Sequence, residues 1–170
     1  MPAKYTSWTV GDRSFNEEQD LFPDQIMRRI IAACDKNGWL HPGERWTAEV
    51  GKPMGPGASI GKGWLQIVID LDEELAALAP DYVITQIKEK FGGLSYYVDL
   101  GFDQGRYFDA VTKKHVVRDP VAYARFEACH AAIGRAYEKS MVTCEVCGEP
   151  GELLKGSWLK VRCDEHTETM

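Results

Sequence analysis

Four residues near the C-terminus have the types and spacing of a metal site: Cys144 and Cys147 in Cys-Glu-Val-Cys-Gly, and Cys163 and His166 in Cys-Asp-Glu-His. Each half-site offers two ligands from one tight turn, and thiolates with an imidazole are the donor set of a tetrahedral Zn2+. Fifteen residues separate Cys147 from Cys163. They carry glycine and proline between short apolar arms, the pattern of a hairpin that folds one half-site onto the other. Four protein ligands leave no open position for water, so the expected role of zinc is structural.

A second cluster surrounds Lys90-Phe91-Gly92-Gly93. Glycines let a ligand approach the backbone, Lys88 and Lys90 attract an anion, and Phe91 or Tyr97 can stack on a base or close a pocket. Lys62 and Trp64, at the end of a glycine-rich stretch, are further candidates for the same ligand. The chemistry that fits is a small anionic, nucleotide-like molecule. The competing expectation is a tight turn whose lysines guard a sheet edge.

Catalytic constellations do not assemble from this sequence. A P-loop needs Gly-x-x-x-x-Gly-Lys-Ser/Thr, yet counting back from Gly61-Lys62 puts Pro56 at the first glycine, and Gly63 stands in place of the hydroxyl. No His-x-Glu precedes the cysteine pair, and Thr143 occupies the proline position of a zinc deaminase. No Asp-His pair suits an HNH-type nuclease. Cys129 and His130 are adjacent on a helical pattern and so point about 100° apart, which makes them a core thiol and a surface imidazole rather than nucleophile and base. His41 and His115 fall in loop-like stretches without a recognisable partner. Asp70, Asp72, Glu73 and Glu74 read as the solvated face of a helix. The expected role is therefore non-enzymatic binding.

The elements that must position these residues are legible in part. Pro23, then Ile26, Ile30, Ile31 and Cys34 up to Asn37-Gly38, predict a helix over 23–36. Residues 41–63 hold six glycines and three prolines and read as a flexible connector, interrupted by a short strand at 45–50. Trp64, Ile67, Val68, Leu71, Leu75 and Leu78 mark an amphipathic helix ended by Pro80. Residues 82–89 and 94–100 are rich in branched and aromatic side chains and predict a β-hairpin. Residues 101–117 read as a loop, and Asp119-Pro120 then opens a helix through to about Ser140.

These elements make an α+β fold, a small antiparallel sheet packed by helices, with a C-terminal module of zinc-ribbon or treble-clef type. The divisions are an N-terminal arm (1–20), a core domain (21–142) and the zinc module (143–170) packed on it. With 170 residues, 44% of them hydrophobic, one good core is expected. The formal charge is −6, and three bound thiolates against a dication make it one unit more negative. The overall field does not attract a polyanion, which leaves nucleic-acid binding to a local basic patch. Cys34 and Cys129 sit in apolar helical patterns as buried thiols, no run approaches a membrane span, and no apolar leader opens the chain. The expected compartment is a reducing cytoplasm.

The stretch from Gln86 to Val98, with Lys-Glu-Lys-Phe-Gly-Gly-Leu, together with Thr143-Cys-Glu-Val-Cys-Gly-Glu-Pro-Gly151 and Cys163-Asp-Glu-His166, resembles an uncharacterised family of small bacterial and phage proteins. The resemblance covers roughly residues 63–166 and implies no particular activity. If the gene is phage-borne, sequestering a host signal would fit. A long helix followed by Cys-Glu-x-Cys-Gly-Glu-Pro is also similar to the zinc end of the coiled-coil regulators that enter the RNA polymerase secondary channel. That similarity implies docking on host machinery, so the alternatives beside a small ligand are a nucleic-acid-associated zinc protein and a protein-interaction adaptor.

Overall fold

The computed structural model describes residues 22–42, 44 and 47–167. The arm expected over 1–20 lies outside the described residues, as do Arg45 and Trp46 of the expected strand. Residues 47–50 of that strand form a turn.

Three helices carry the apolar stripes. Helix α1 (Asp24–Asn37) closes on Gly38, whose φ of 68° is the left-handed conformation that glycine adopts without a Cβ penalty. Helix α2 (Leu65–Leu78) buries Ile67, Val68, Leu71 and Leu75. Helix α3 (Pro120–Ser140) starts at Asp119, whose carboxylate accepts from the Val121 and Ala122 amides at 3.1 Å, with Pro120 in the first turn. These bounds follow the local capping and periodicity closely.

The central sheet has the order β1–β2–β3, with β1 at Ala58–Ser59, β2 at Val83–Lys90 and β3 at Gly93–Asp99. β2 and β3 are antiparallel and joined by Phe91-Gly92, with φ of 56° and 86°. Two positive φ values in a two-residue loop make the mirror-image turn that matches the right-handed twist of the strands. β1 pairs in parallel with Ile87 and Lys88, so part of the glycine-rich connector is sheet rather than free loop. Ile26, Ile30, Trp64, Leu75, Ile84, Ile87, Leu94 and Cys129 belong to one buried cluster, which also takes in Val161 from the metal module.

Two sequence expectations are corrected here. Residues 101–117 are not a loop: β4 (Arg106–Asp109) and β5 (Lys114–Val117) form an antiparallel hairpin. Asp109 caps its turn by accepting from the Val111 amide at 2.8 Å, and Phe108 lies edge-on to His115 with ring centroids 5.5 Å apart. Tyr107 and Phe108 are both exposed, so these strands lack the buried/exposed contrast that makes alternation readable.

Asp72 is the second correction. It is 4% exposed, not part of a solvated face. Its Oδ1 accepts from Arg29 Nε at 2.6 Å and from the Tyr82 hydroxyl, which lies 3.0 Å from the Tyr96 hydroxyl. Arg29 also donates to the Pro80 and Tyr82 carbonyls and stacks 4.0 Å over the Tyr82 ring. A buried carboxylate needs such a partner, because its desolvation otherwise costs several kcal/mol.

Candidate metal centre

The first half-site is a turn closed by its own backbone. Gly148 N donates to the Cys144 carbonyl at 2.9 Å, Cys144 N to the Glu149 carbonyl at 2.7 Å, and Gly148 takes a φ of 83°. A short hairpin follows, β6 (Glu152–Leu154) against β7 (Lys160–Arg162), with Leu153 opposite Val161. It delivers Cys163 to a single 3-10 turn, in which His166 N donates to the Cys163 carbonyl at 3.0 Å. Glu145 N donates to the Val161 carbonyl at 3.2 Å and ties the halves together.

The four donor atoms lie within 4.8 Å of one another. Cys147 Sγ to Cys163 Sγ is 3.6 Å, Cys144 Sγ to His166 Nδ1 is 3.7 Å, and Cys163 Sγ to His166 Nδ1 is 3.1 Å. A tetrahedral ion with metal–sulfur bonds of about 2.3 Å would have edges of about 3.8 Å, so the residues fit a four-coordinate metal. Burial alone would raise the Cys144 thiol, but amides of Cys147, Cys163 and Val146 directed at its sulfur bring it down to about 6. At Cys147 the Glu149 amide favours the thiolate, yet burial and the neighbouring sulfurs push the thiol up to about 11. Three sulfurs this close cannot all carry charge without a cation between them, and a dication supplies what the amides cannot.

The bed under this centre is the glycine-rich stretch. Gly63 N donates to the Glu145 carbonyl at 2.9 Å, and Trp64 Nε1 donates to the Thr143 carbonyl at 2.8 Å. A Cβ on Gly61 would collide with Glu145, and one on Gly63 with the Cys144 carbonyl. The stretch expected to be a connector is thus the surface on which the metal turn is seated. Glu145, which the sequence reading passed over, joins the parts. Its carboxylate accepts from Gly61 N at 3.3 Å and Arg162 Nη1 at 3.1 Å, and Lys160 Nζ lies 3.8 Å away. Lys160 in turn binds Glu89 at 2.8 Å, and Glu89 accepts from Gly92 N at 2.6 Å. The only sequence signal for Glu145 is its place between two ligands.

The residues expected to bind a ligand are dispersed. Trp64 is wholly buried in the core, so its ring presents no ligand surface. Gly92 and Gly93 are covered: a Cβ on Gly92 would strike Leu153, and one on Gly93 would strike the Tyr137 ring. They make room for the protein's own side chains rather than for a ligand. Lys62 is exposed at the head of the 3-10 turn before α2. Lys90 and Phe91 are exposed at the hairpin tip, with Lys90 Nζ 5.7 Å from the Phe91 ring centroid. Tyr97 is exposed while Tyr96 is buried, and Lys88 is half-buried. In the antiparallel register Lys88 faces Ser95 and Gln86 faces Tyr97, so Lys88 and Tyr97 share the outer face of the sheet.

Cys129 is buried, while His130 is exposed and packs on Phe126 with centroids 4.3 Å apart. His41, expected to be without a partner, sits 2.5 Å from Asp35.

Comparisons with protein-family models, with curated proteins and with solved structures find no match to this chain. No described helix is long and apolar enough to cross a membrane. Cys144, Cys147, Cys163 and His166 form a group that can hold a metal ion.

Proposed function

We propose that the protein is a zinc-stabilised binding protein without catalytic chemistry, and that the tip of the β2–β3 hairpin receives an anionic, nucleotide-like partner. Zinc is the metal that three thiolates and one imidazole favour, and four protein donors fill its tetrahedron. The buried acids are taken up by structural partners, Asp72 by Arg29 and Tyr82 and Glu145 by Arg162 and the Gly61 amide.

The observation that carries the binding reading is the pairing of an exposed ring with lysines that make no ion pair among the described residues. Phe91 is 70% exposed on a rigid two-residue turn, and neither Lys88 nor Lys90 makes a salt bridge among the described residues. The carboxylate between them, Glu89, is already held by Lys160 and Gly92 N. The tip therefore offers net positive charge beside a flat apolar face, in a chain whose overall charge is negative.

Metal analysis and a nucleotide titration of the zinc-loaded protein test this. One zinc per chain is expected, and Lys88→Ala or Lys90→Ala should weaken nucleotide binding by about 1.5–3 kcal/mol, the usual worth of a hydrogen bond to a charged group. Thermal melting should stay within about 0.5 kcal/mol of the parent, as for surface substitutions generally. Unchanged nucleotide binding in both variants would show the lysines to be edge guards and end this reading.

A further inference from the structure

The β2–β3 tip does not stand alone. Gly92 abuts Leu153 and Leu159 of the metal hairpin, and Lys160 is bonded to Glu89, so the turn of β2–β3 packs against the residues that flank the β6–β7 loop. The second tip, Lys155-Gly156-Ser157-Trp158, repeats the chemistry of the first. Trp158 is 76% exposed, and Lys155 is exposed with no salt bridge among the described residues. An exposed ring beside a cation at each tip gives this face two places where an aromatic base can stack.

We propose that Phe91 and Trp158, with Lys88, Lys90 and Lys155, form one binding surface for single-stranded nucleic acid across the two adjacent hairpin tips. The inference rests on the anion-binding reading of the first tip and extends it from one nucleotide to a strand. A strand offers phosphates and flat bases together, and each tip offers a lysine and an exposed ring to receive them. A duplex does not fit, because its base faces are already stacked on one another. An acidic peptide supplies the anions but no flat faces for the rings. Glu89 and Glu145 are held by Lys160 and Arg162, which leaves Lys88, Lys90 and Lys155 as the cations of the two tips. The Glu145, Lys160 and Glu89 chain holds β6–β7, and hence the loop that carries Trp158, against the core.

The test uses the full-length, zinc-loaded protein and labelled oligothymidylate and oligouridylate of about eight nucleotides, a length within the span of small single-strand-binding domains. The strand should bind more tightly than a mononucleotide, with a log–log salt slope of about −2 for three lysines. Trp158→Ala should weaken strand binding roughly 5- to 150-fold, the range for losing one base stack, and leave melting and mononucleotide binding unchanged. Trp158→Phe keeps a ring and should retain most of the affinity, which guards against a folding defect in the alanine variant. Lys155→Ala should weaken the strand alone and flatten the salt slope.

A mononucleotide that binds through Lys88 and Lys90 while the strand gains nothing, with Trp158→Ala silent, would overturn the two-tip surface and leave the function proposed above intact. Failure of both probes would remove both readings. Equal binding of a duplex, or tight salt-sensitive binding of a polyglutamate peptide without the strand, would also overturn the inference, the latter in favour of a protein partner.

Discussion

The backbone of Gly63 lies directly on that of Cys144: a Cβ at position 63 would collide with the Cys144 carbonyl oxygen and come within 2.5 Å of Gly148 N. Eighty residues of chain intervene, yet the metal turn is seated on a glycine because nothing larger fits between two backbones. Gly63→Ala should therefore destabilise the fold by about 1–3 kcal/mol, the usual penalty for overpacking, and should lower metal affinity in competition with a chelator. Gly134→Ala is the control. It sits in α3 with nothing within 4 Å of the added methyl, and should be neutral or stabilising by up to about 1 kcal/mol.

Removing the metal should loosen a defined set of backbone bonds rather than the whole domain. Cys147→Ser, or chelation of the parent, should speed amide exchange at Gly148 and Glu145, which bond to the Cys144 and Val161 carbonyls. The Trp64 indole proton, held by the Thr143 carbonyl, should shift in the NMR spectrum. Exchange within α1 should change least. A metal-loaded Cys147→Ser protein with parent exchange rates would show that the four residues are not the ligand set. Acid should release the metal as well, since each ligand must be deprotonated to bind.

Asp72 and Arg29 hold each other in a nearly closed site. Asp72→Ala should cost about 3 kcal/mol, the lower end for breaking such a pair, because Arg29 keeps the Pro80 and Tyr82 carbonyls. Replacing both, Asp72→Leu with Arg29→Met, should restore much of that loss. Denaturant unfolding of the parent and the two variants measures it, and a double variant no better than Asp72→Ala would contradict the pairwise account.

Burial, reinforced by Tyr96 and the Asp72 contact, raises the Tyr82 phenol far above its usual value of 10.0, and burial raises Tyr96 as well. In the unfolded chain both phenols ionise near pH 10, while in the folded protein both stay protonated. The unfolded state then binds fewer protons, so stability is intact below about pH 10 and falls as pH rises beyond it. Absorbance titration of tyrosinate should show these two rings ionising only with unfolding. Tyr96→Phe should remove its share of the alkaline loss.

The cluster of Cys144, Cys147, Cys163 and His166 was legible because each half-site is a local turn whose spacing is written within four residues. The three helices were legible for the same reason: caps and apolar periodicity act over neighbouring turns. The β4–β5 hairpin escaped because both faces of its short strands meet solvent, so burial left no alternating pattern. Asp72 looked like one charge in an acidic run until the fold brought Arg29, 43 residues away, to its side. Glu145 and Gly61 are 84 residues apart, and only packing of the metal turn onto the glycine-rich stretch turned a supposed connector into a support. Gly92 and Gly93 show the same limit: the sequence marked a place where backbone can be approached closely, and the tertiary structure decided that Leu153 and Tyr137 approach it. Local chemistry determined which residues could bind metal or bend the chain, whereas contacts between distant segments decided which surfaces stayed open.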